Sequence, residues 1–327
     1  MVVKMNRKTS SSHYLIGGSP QGSLIGQLLY IIGSDDVAAD IEEEDKFKYI
    51  DDLAVLDAID VKGKLKDYDV WQHVPSDIAT EERFLAANAG KSQDINNSIA
   101  AWTLSNKMKI NEDKSKYMVL SKSKEKFATR LTINSKTLDR AQEMVHLGVW
   151  LTEDMSWNKH VSEMCRRAYP RVKMLSKLKY VGTSTEDLIE LYCLLIRSLT
   201  EYCNVVFHSS LTLRLRNKIE AIQKTCLRVI LGEMYVDYES ALEMCGLQKL
   251  DTRRENRSLQ FALHCLKNEI TINMFPHNPS TDTHKLRNRE KFKVNRSYTE
   301  YYRKSTIPYL QGRLNTHFSK VEEASRE

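Results

Sequence analysis

No Cys-x-x-Cys pair occurs anywhere in the 327 residues: the six cysteines, Cys165, Cys193, Cys203, Cys226, Cys245 and Cys265, stand singly. That spacing argues against a disulfide framework and a zinc knuckle, and predicts buried thiols in a reducing compartment. No apolar run approaches the roughly 18 residues that span a bilayer, and no charged segment followed by a long apolar core opens the sequence. The expectation is a soluble intracellular protein, nuclear or cytoplasmic, with no transmembrane segment, no signal peptide and no membrane partner. There is also no tail of like charges and no internal repeat, which sets aside an acidic or basic arm and a solenoid.

What is present is the composition of a globular chain. Hydrophobic residues make up 41% and charged residues 28%, enough to bury a core, and the length predicts about two domains. The 49 Lys and Arg against 43 Asp and Glu leave a net charge of +6. This balance is compatible with a polyanionic partner without requiring one, because local clustering governs such binding more than the sum does.

Along the chain, Ser19-Pro20-Gln21-Gly22-Ser23 precedes the apolar run of residues 24–32, a loop entering a helix. From Lys46 to Leu56 the period changes to two around Asp51-Asp52, which reads as strand, acidic turn, strand. Residues 57–90 predict loops and short helices. Ile95, Ile99, Trp102 and Met108 are spaced for a helix, Asn111 to Lys114 for a turn, and Tyr117 to Leu120 for a strand. Leu131-Thr132-Ile133 and Val145 to Leu151 suggest a further hairpin, with Glu153-Asp154 turning the chain. Beyond about Lys159 the pattern is helical. Thr183 with Glu186 and Thr252 with Glu255 have capping-box spacing, and Gly232 and Gly246 follow apolar helices. After about Asn268 a polar, basic, tyrosine-containing tail is expected to pack only partly.

Adjacent carboxylates at a strand turn repel unless a cation or donors compensate. Asp51-Asp52 therefore suits a hard divalent ion, which binds through one or two carboxylates together with phosphate oxygens. Alone, such a pair reads first as a solvated turn. It is accompanied, in order, by Gly-Ser-Pro-Gln-Gly-Ser (18–23), Tyr-Ile-Asp-Asp (49–52), Asn-x-x-Lys-Ser-Lys (111–116) and His-Leu-Gly-Val-Trp-Leu (146–151).

This series resembles the B, C, D and E blocks of the reverse transcriptases of LINE-like non-LTR retrotransposons, and the likeness runs through nearly the whole chain. The resemblance implies an α+β fold: a partial reverse-transcriptase palm over residues 1–160, an all-α thumb-like region over 161–270 and a basic C-terminal tail over 271–327. It implies RNA-directed DNA polymerase activity, with Mg²⁺ (or Mn²⁺) as cofactor and RNA template, DNA primer and deoxynucleoside triphosphates as partners. Asp51 and Asp52 match the metal ligands, with the first facing the cleft because successive strand residues point to opposite faces. Pro20, Gln21, Gly22 and Tyr49 match nucleotide and template contacts, and Lys114 a lysine near the leaving pyrophosphate. Leu147 and Gly148 fall in the hairpin that grips the primer terminus. Arg166, Arg167, Arg171, Lys173 and Lys177 would neutralise template–primer phosphates. A solvated helix face, an exposed turn lysine and a structural hairpin remain open readings of these same residues, and tail tyrosines 298, 301, 302 and 309 read as base-stacking or as anchors.

The pattern also departs from the family. A third carboxylate upstream of the Pro-Gln-Gly loop normally completes the two-metal site, yet the first acidic residue here is Asp35, and no fingers or endonuclease region is recognisable. Two ions about 4 Å apart need shared ligands, so the chain is expected to be an N-terminally truncated fragment that polymerises little or nothing alone. A non-catalytic nucleic-acid-binding module, or an element remnant without function, are the alternatives.

Overall fold

The computed structural model describes residues 4–5, 8–9, 37, 46–49, 52–55, 78–120, 130–278, 291–294 and 300–324. They form a mixed α+β protein, mostly helical with a small sheet content. The chain divides into two compact units, Met1–Tyr117 with Ser123–Ala141, and Met118–Lys122 with Gln142–Glu327.

In the first unit the strands pair two by two. β1 (Lys4–Met5) and β2 (Lys8–Thr9) are antiparallel, as are β3 (Lys46–Tyr49) and β4 (Asp52–Val55). Helix α1 (Ile78–Ser105) is 28 residues long and begins well inside the stretch expected to hold loops and short helices. It closes with Lys107 in the left-handed region (φ 55°), where Lys107 N donates to Leu104 O and Met108 N to Thr103 O. This is a Schellman ending built on lysine instead of the usual glycine. β5 (Lys116–Tyr117), β6 (Thr132–Ile133), β7 (Lys136–Thr137) and β8 (Asp139–Arg140) follow, β6 with β7 as a hairpin and β5 parallel to β8. Leu131, Ile133 and Leu138 form the small core here, against Ile110 and Tyr117. The edge of β6 is not left open. The Gln93 side chain of α1 accepts from Thr132 N (2.8 Å) and donates to Thr132 O (2.9 Å), replacing the neighbouring strand.

The second unit opens with the hairpin β9 (Glu143–His146) and β10 (Val149–Thr152), so the stretch around residues 131–151 holds two hairpins where one was expected. Among the described residues the last strand ends at Thr152, and helix α2 (Asn158–Tyr180) begins a mainly helical region that also holds an antiparallel bridge between His277 and Phe292. α3 (Thr185–Tyr192) runs through a π turn at Cys193–Arg197 into α4 (Ser198–Glu201). Then come α5 (Asn204–Phe207), α6 (Leu213–Leu231), α7 (Tyr238–Met244), α8 (Leu250–Cys265), α9 (Glu300–Arg303) and α10 (Thr306–Ala324).

Val161, Met164, Ala168, Val172 and Leu175 recur at three- and four-residue intervals on α2 and pack with Leu215, Ile219, Ile222 and Cys226 of α6 in the main core. Cys165, Cys226, Cys245 and Cys265 are buried, Cys193 and Cys203 half-buried, and all six are free.

Two helix starts differ from the expected capping boxes. Thr183 N is used to close α2, donating to Leu178 O, so the cap of α3 falls on Ser184, whose Oγ accepts from Asp187 N (3.1 Å). At α8 no local side chain caps the helix, and Thr252 lies inside it. Its first amides, Leu250 N (3.1 Å) and Asp251 N (3.2 Å), donate instead to Glu220 of α6. A carboxylate from a packed neighbour outcompetes the local threonine because it satisfies two orphan amides and carries the charge that a helix N-terminus favours.

The C-terminal region packs more fully than expected. Leu310 and Leu314 of α10 are buried with Ala262 and Cys265 of α8, Phe275 and Phe292. Asn315 holds Phe292: its Oδ1 accepts from Phe292 N (2.8 Å) and its Nδ2 donates to Phe292 O (3.0 Å). Replacing Asn315 by Ala strands both buried groups, a cost of about 1–3 kcal/mol. Denaturant unfolding is expected to register that loss, with faster amide exchange at 291–293. Unchanged exchange there would refute the pairing.

Candidate nucleic-acid interface

The candidate acidic site begins on the β3–β4 hairpin. Its ladder pairs Lys46 with Val55 and ends with Tyr49 opposite Asp52, so Tyr49 and Asp52 close the described pairing. Asp51 lies outside the described residues, as do Pro20, Gln21 and Gly22. Leu53, Ala54 and Val55 are half-buried. Among the described residues no group of three or more His, Cys, Asp or Glu is placed to hold a metal ion.

Lys114 sits in the expected turn, where its amide donates to both Asn111 O (3.1 Å) and Asn111 Oδ1 (3.2 Å). Its acidic neighbours are occupied elsewhere: Glu112 accepts from Asn134 Nδ2 (2.9 Å) and Asp113 pairs with Lys136, which holds the Asp113 carboxyl below the usual range. The Lys114 side chain is exposed and makes no hydrogen bond or ion pair with a described residue. It is open to solvent and available to an anion.

The second unit builds its candidate surface on the β9–β10 turn. Leu147 (φ 46°) and Gly148 (φ 81°) both occupy positive φ, the requirement of a two-residue type I′ hairpin. For Leu147 the left-handed conformation costs roughly 1–2 kcal/mol, so something must hold it. Tyr202, 55 residues away, does so: its hydroxyl donates to Leu147 O at 2.7 Å. Its ring lies so close to Gly148 that a Cβ there would meet Tyr202 Cε1 at 3.3 Å. The turn thus needs glycine for two reasons, backbone sign and ring proximity. Nothing in the sequence signalled Tyr202, because its partner is a backbone carbonyl on a distant strand.

The base of the same hairpin is tied to α2. Trp150 N donates to His160 Nδ1 (3.3 Å), Lys159 pairs with Glu143 (2.8 Å), and the Lys159 ammonium stands 4.8 Å over the Trp150 ring. His160 is buried against Phe207 with ring centroids 4.8 Å apart. Burial, with a smaller contribution from the Arg167 charge, lowers its pKa to about 4, so it is neutral near pH 7 and accepts through Nδ1.

The basic residues of α2 separate into two kinds. Arg166 pairs with Glu163 (2.7 Å), and Arg171 donates to Leu195 O, a carbonyl of the π turn. Arg167, Lys173 and Lys177 are exposed and make no hydrogen bond or ion pair with a described residue. Their spacing places Arg166, Lys173 and Lys177 on one stripe and Arg167 and Arg171 on the next, beside the exposed Tyr169 and Met174. Arg167, Lys173 and Lys177, unneutralised and spread over these two stripes, are able to follow phosphates.

Comparison with models of protein families, with curated proteins and with solved structures finds no match to this chain.

Two measurements test this surface. Tyr202→Phe removes the hydrogen bond to Leu147 while keeping the ring, and amide exchange at 146–149 is expected to accelerate several-fold with little change in Tm; unaltered exchange would count against the latch. His160 must take up a proton as pH falls, and because its folded pKa lies below the unfolded value of about 6.5, its contribution to stability is present above that value and is lost as pH falls toward 4. His160→Asn retains an acceptor for Trp150 N without titrating. The decline in Tm between pH 6.5 and 4 is expected to be shallower in that variant, and an unchanged slope would sink the assignment.

Proposed function

We propose that this chain carries the acidic hairpin and the helical nucleic-acid-binding part of an RNA-directed DNA polymerase of the LINE-like, non-LTR class. The observation that carries the reading is the β3–β4 register, in which Tyr49 opposes Asp52 at the end of an antiparallel hairpin. This is the local setting that the Tyr-Ile-Asp-Asp signal requires. The ordered blocks on either side and the free cations of α2 support it.

In this reading Asp51 and Asp52 are the donors for Mg²⁺, for which Mn²⁺ would substitute. Hard carboxylate oxygens fit such an ion, and the ion would supply charge neutralisation at triphosphate oxygens. Pro20, Gln21, Gly22 and Tyr49 contact template and incoming deoxynucleotide, and Lys114 stands where it would stabilise the departing pyrophosphate. The rigid turn of Leu147 and Gly148 positions the primer terminus. Arg167, Lys173 and Lys177 neutralise template–primer phosphates, while Arg166 and Arg171 chiefly hold α2 and the π turn in place.

The test measures binding to an RNA template annealed to a DNA primer by fluorescence anisotropy over a salt series. Combining Arg167→Gln, Lys173→Gln and Lys177→Gln is expected to weaken affinity and reduce the slope of log K against log salt by about 2–3, at roughly 0.9 for each phosphate that a side chain no longer neutralises. Tm should be unaffected, since all three side chains are exposed. Primer extension by these residues alone is expected at background, because no Asp or Glu precedes Asp35. If any coding sequence found upstream, added to the chain, confers extension that Asp51→Asn abolishes, the polymerase reading gains. A folded, extended form that binds template–primer tightly yet makes no DNA would leave a binding module in its place, and failure of every form to bind would point to a remnant.

A further inference from the structure

An open cavity of about 740 Å³ lies in the helical unit, lined from the π turn through α5 and by α8, Met274 and the start of α10. Its walls hold large apolar side chains that a core would normally cover: Tyr202 is 51% exposed, Val206 45%, Phe261 44% and Met274 46%. Among the described residues no lysine or aspartate lines it, and its cations are Arg197 and Arg257. Glu201, almost fully buried, does not cancel them. Its Oε1 accepts from Arg253 Nε (2.6 Å), and its Oε2 is shared by Arg253 Nη2 (3.3 Å) and by Arg257 Nη2 (3.4 Å), with Arg257 half exposed. The Arg197 side chain makes no hydrogen bond or ion pair with a described residue. With one carboxylate, Glu201, set against Arg197, Arg253 and Arg257, two positive charges remain unbalanced at the cavity.

Exposed Tyr, Phe and Met with Arg and without Lys is the composition of a protein-binding hot spot. A groove for nucleic acid is more polar and brings several cations to the phosphate path. We infer that this cavity docks a protein segment carrying apolar or aromatic anchors flanked by carboxylates, the anchors seated against Phe261, Met274 and Val206 and the carboxylates on Arg197 and Arg257. Such carboxylates gain charge-assisted, bidentate bonds from guanidinium groups. The inference is independent of polymerase activity. It also makes Tyr202 a shared wall, since the residue that lines the groove holds the β9–β10 turn.

The experiment pans a display library of random 16-residue peptides against the full chain, then measures enriched peptides by calorimetry. Peptides combining Leu, Phe or Trp with Asp or Glu are expected, with affinities that fall at least 10-fold in Phe261→Ala. The Arg197→Glu variant should lose those peptides and bind versions in which Lys replaces the acidic residues. Circular dichroism and Tm confirm that both variants fold. An absence of enriched peptides, or enriched peptides indifferent to both substitutions, would overturn the proposal. It would equally be overturned if the same substitutions weaken binding of a single-stranded oligonucleotide and leave peptides untouched, or if they abolish self-association measured by sedimentation, which would make a second copy the occupant.

Discussion

The helical unit depends on one carboxylate. Glu220, in the middle of α6, accepts from Leu250 N and Asp251 N at the start of α8 and from the Tyr238 hydroxyl of α7. Tyr238 also accepts from Gln223 Nε2 (2.9 Å), and Gln223 in turn donates to Gln248 O (3.0 Å) and accepts from Tyr192 of α3. Four helices are thereby fixed through one continuous polar chain inside an apolar core. Burial and the Glu220 charge push the Tyr238 phenol well above its ordinary range, so it remains a donor and the network keeps its direction. A network of this kind specifies an arrangement only when every member is satisfied.

Because Glu220 sets where α8 begins, it also sets what α8 presents one turn later. Asp251 meets Arg216 and Arg254, each at 3.4 Å, and Arg253 clamps Glu201 at the end of α4. Arg254 is fully buried and donates to His208 Nδ1 (3.4 Å). Burying a guanidinium is costly unless it is paired and bonded, and a protonated histidine beside it would add repulsion. Burial and the neighbouring arginines lower the His208 pKa to about 4, and that penalty is thereby avoided near neutral pH. The fixed Glu201 precedes Tyr202, and Tyr202 holds Leu147. A line of specific bonds thus runs from a core carboxylate to the exposed hairpin turn.

Much of this was legible locally. The change of period around Asp51-Asp52 located β3 and β4, whereas the one hairpin expected from residues 131–133 and 145–151 became two. The helical pattern beyond Lys159 corresponded to α2, and Gly232 and Gly246 stood just past helix ends. What escaped was whatever depends on residues far apart in sequence. Thr252-x-x-Glu255 has perfect capping spacing and is not the cap, because Glu220 fills that role from 30 residues away. The tail was expected to pack only partly, and among its described residues Leu310, Leu314 and Asn315, one face of a single helix, help to bury Phe292. At the acidic site only the strands that flank the turn are described, since Asp51 and the Pro20 loop lie outside the described residues.

Charge shows most clearly why spacing alone overstates function. Arg166, Arg167, Arg171, Lys173 and Lys177 of α2 look equivalent in sequence, and their spacing alone would assign all five to phosphates. The structure commits two of them: Arg166 to a carboxylate one turn away, and Arg171 to a carbonyl in the π turn. A π turn widens the helix and disturbs its regular bonding, and only a long, multidentate cation reaches across from a neighbouring helix to the Leu195 carbonyl. That is a structural use of arginine. Lys173 and Lys177, each a single flexible point charge, hold no such geometry and remain in solvent, where a mobile cation follows an irregular phosphate path at little entropic cost. Arg166 and Arg171 therefore build the helix pair, while Arg167, Lys173 and Lys177 are what is available to a polyanion.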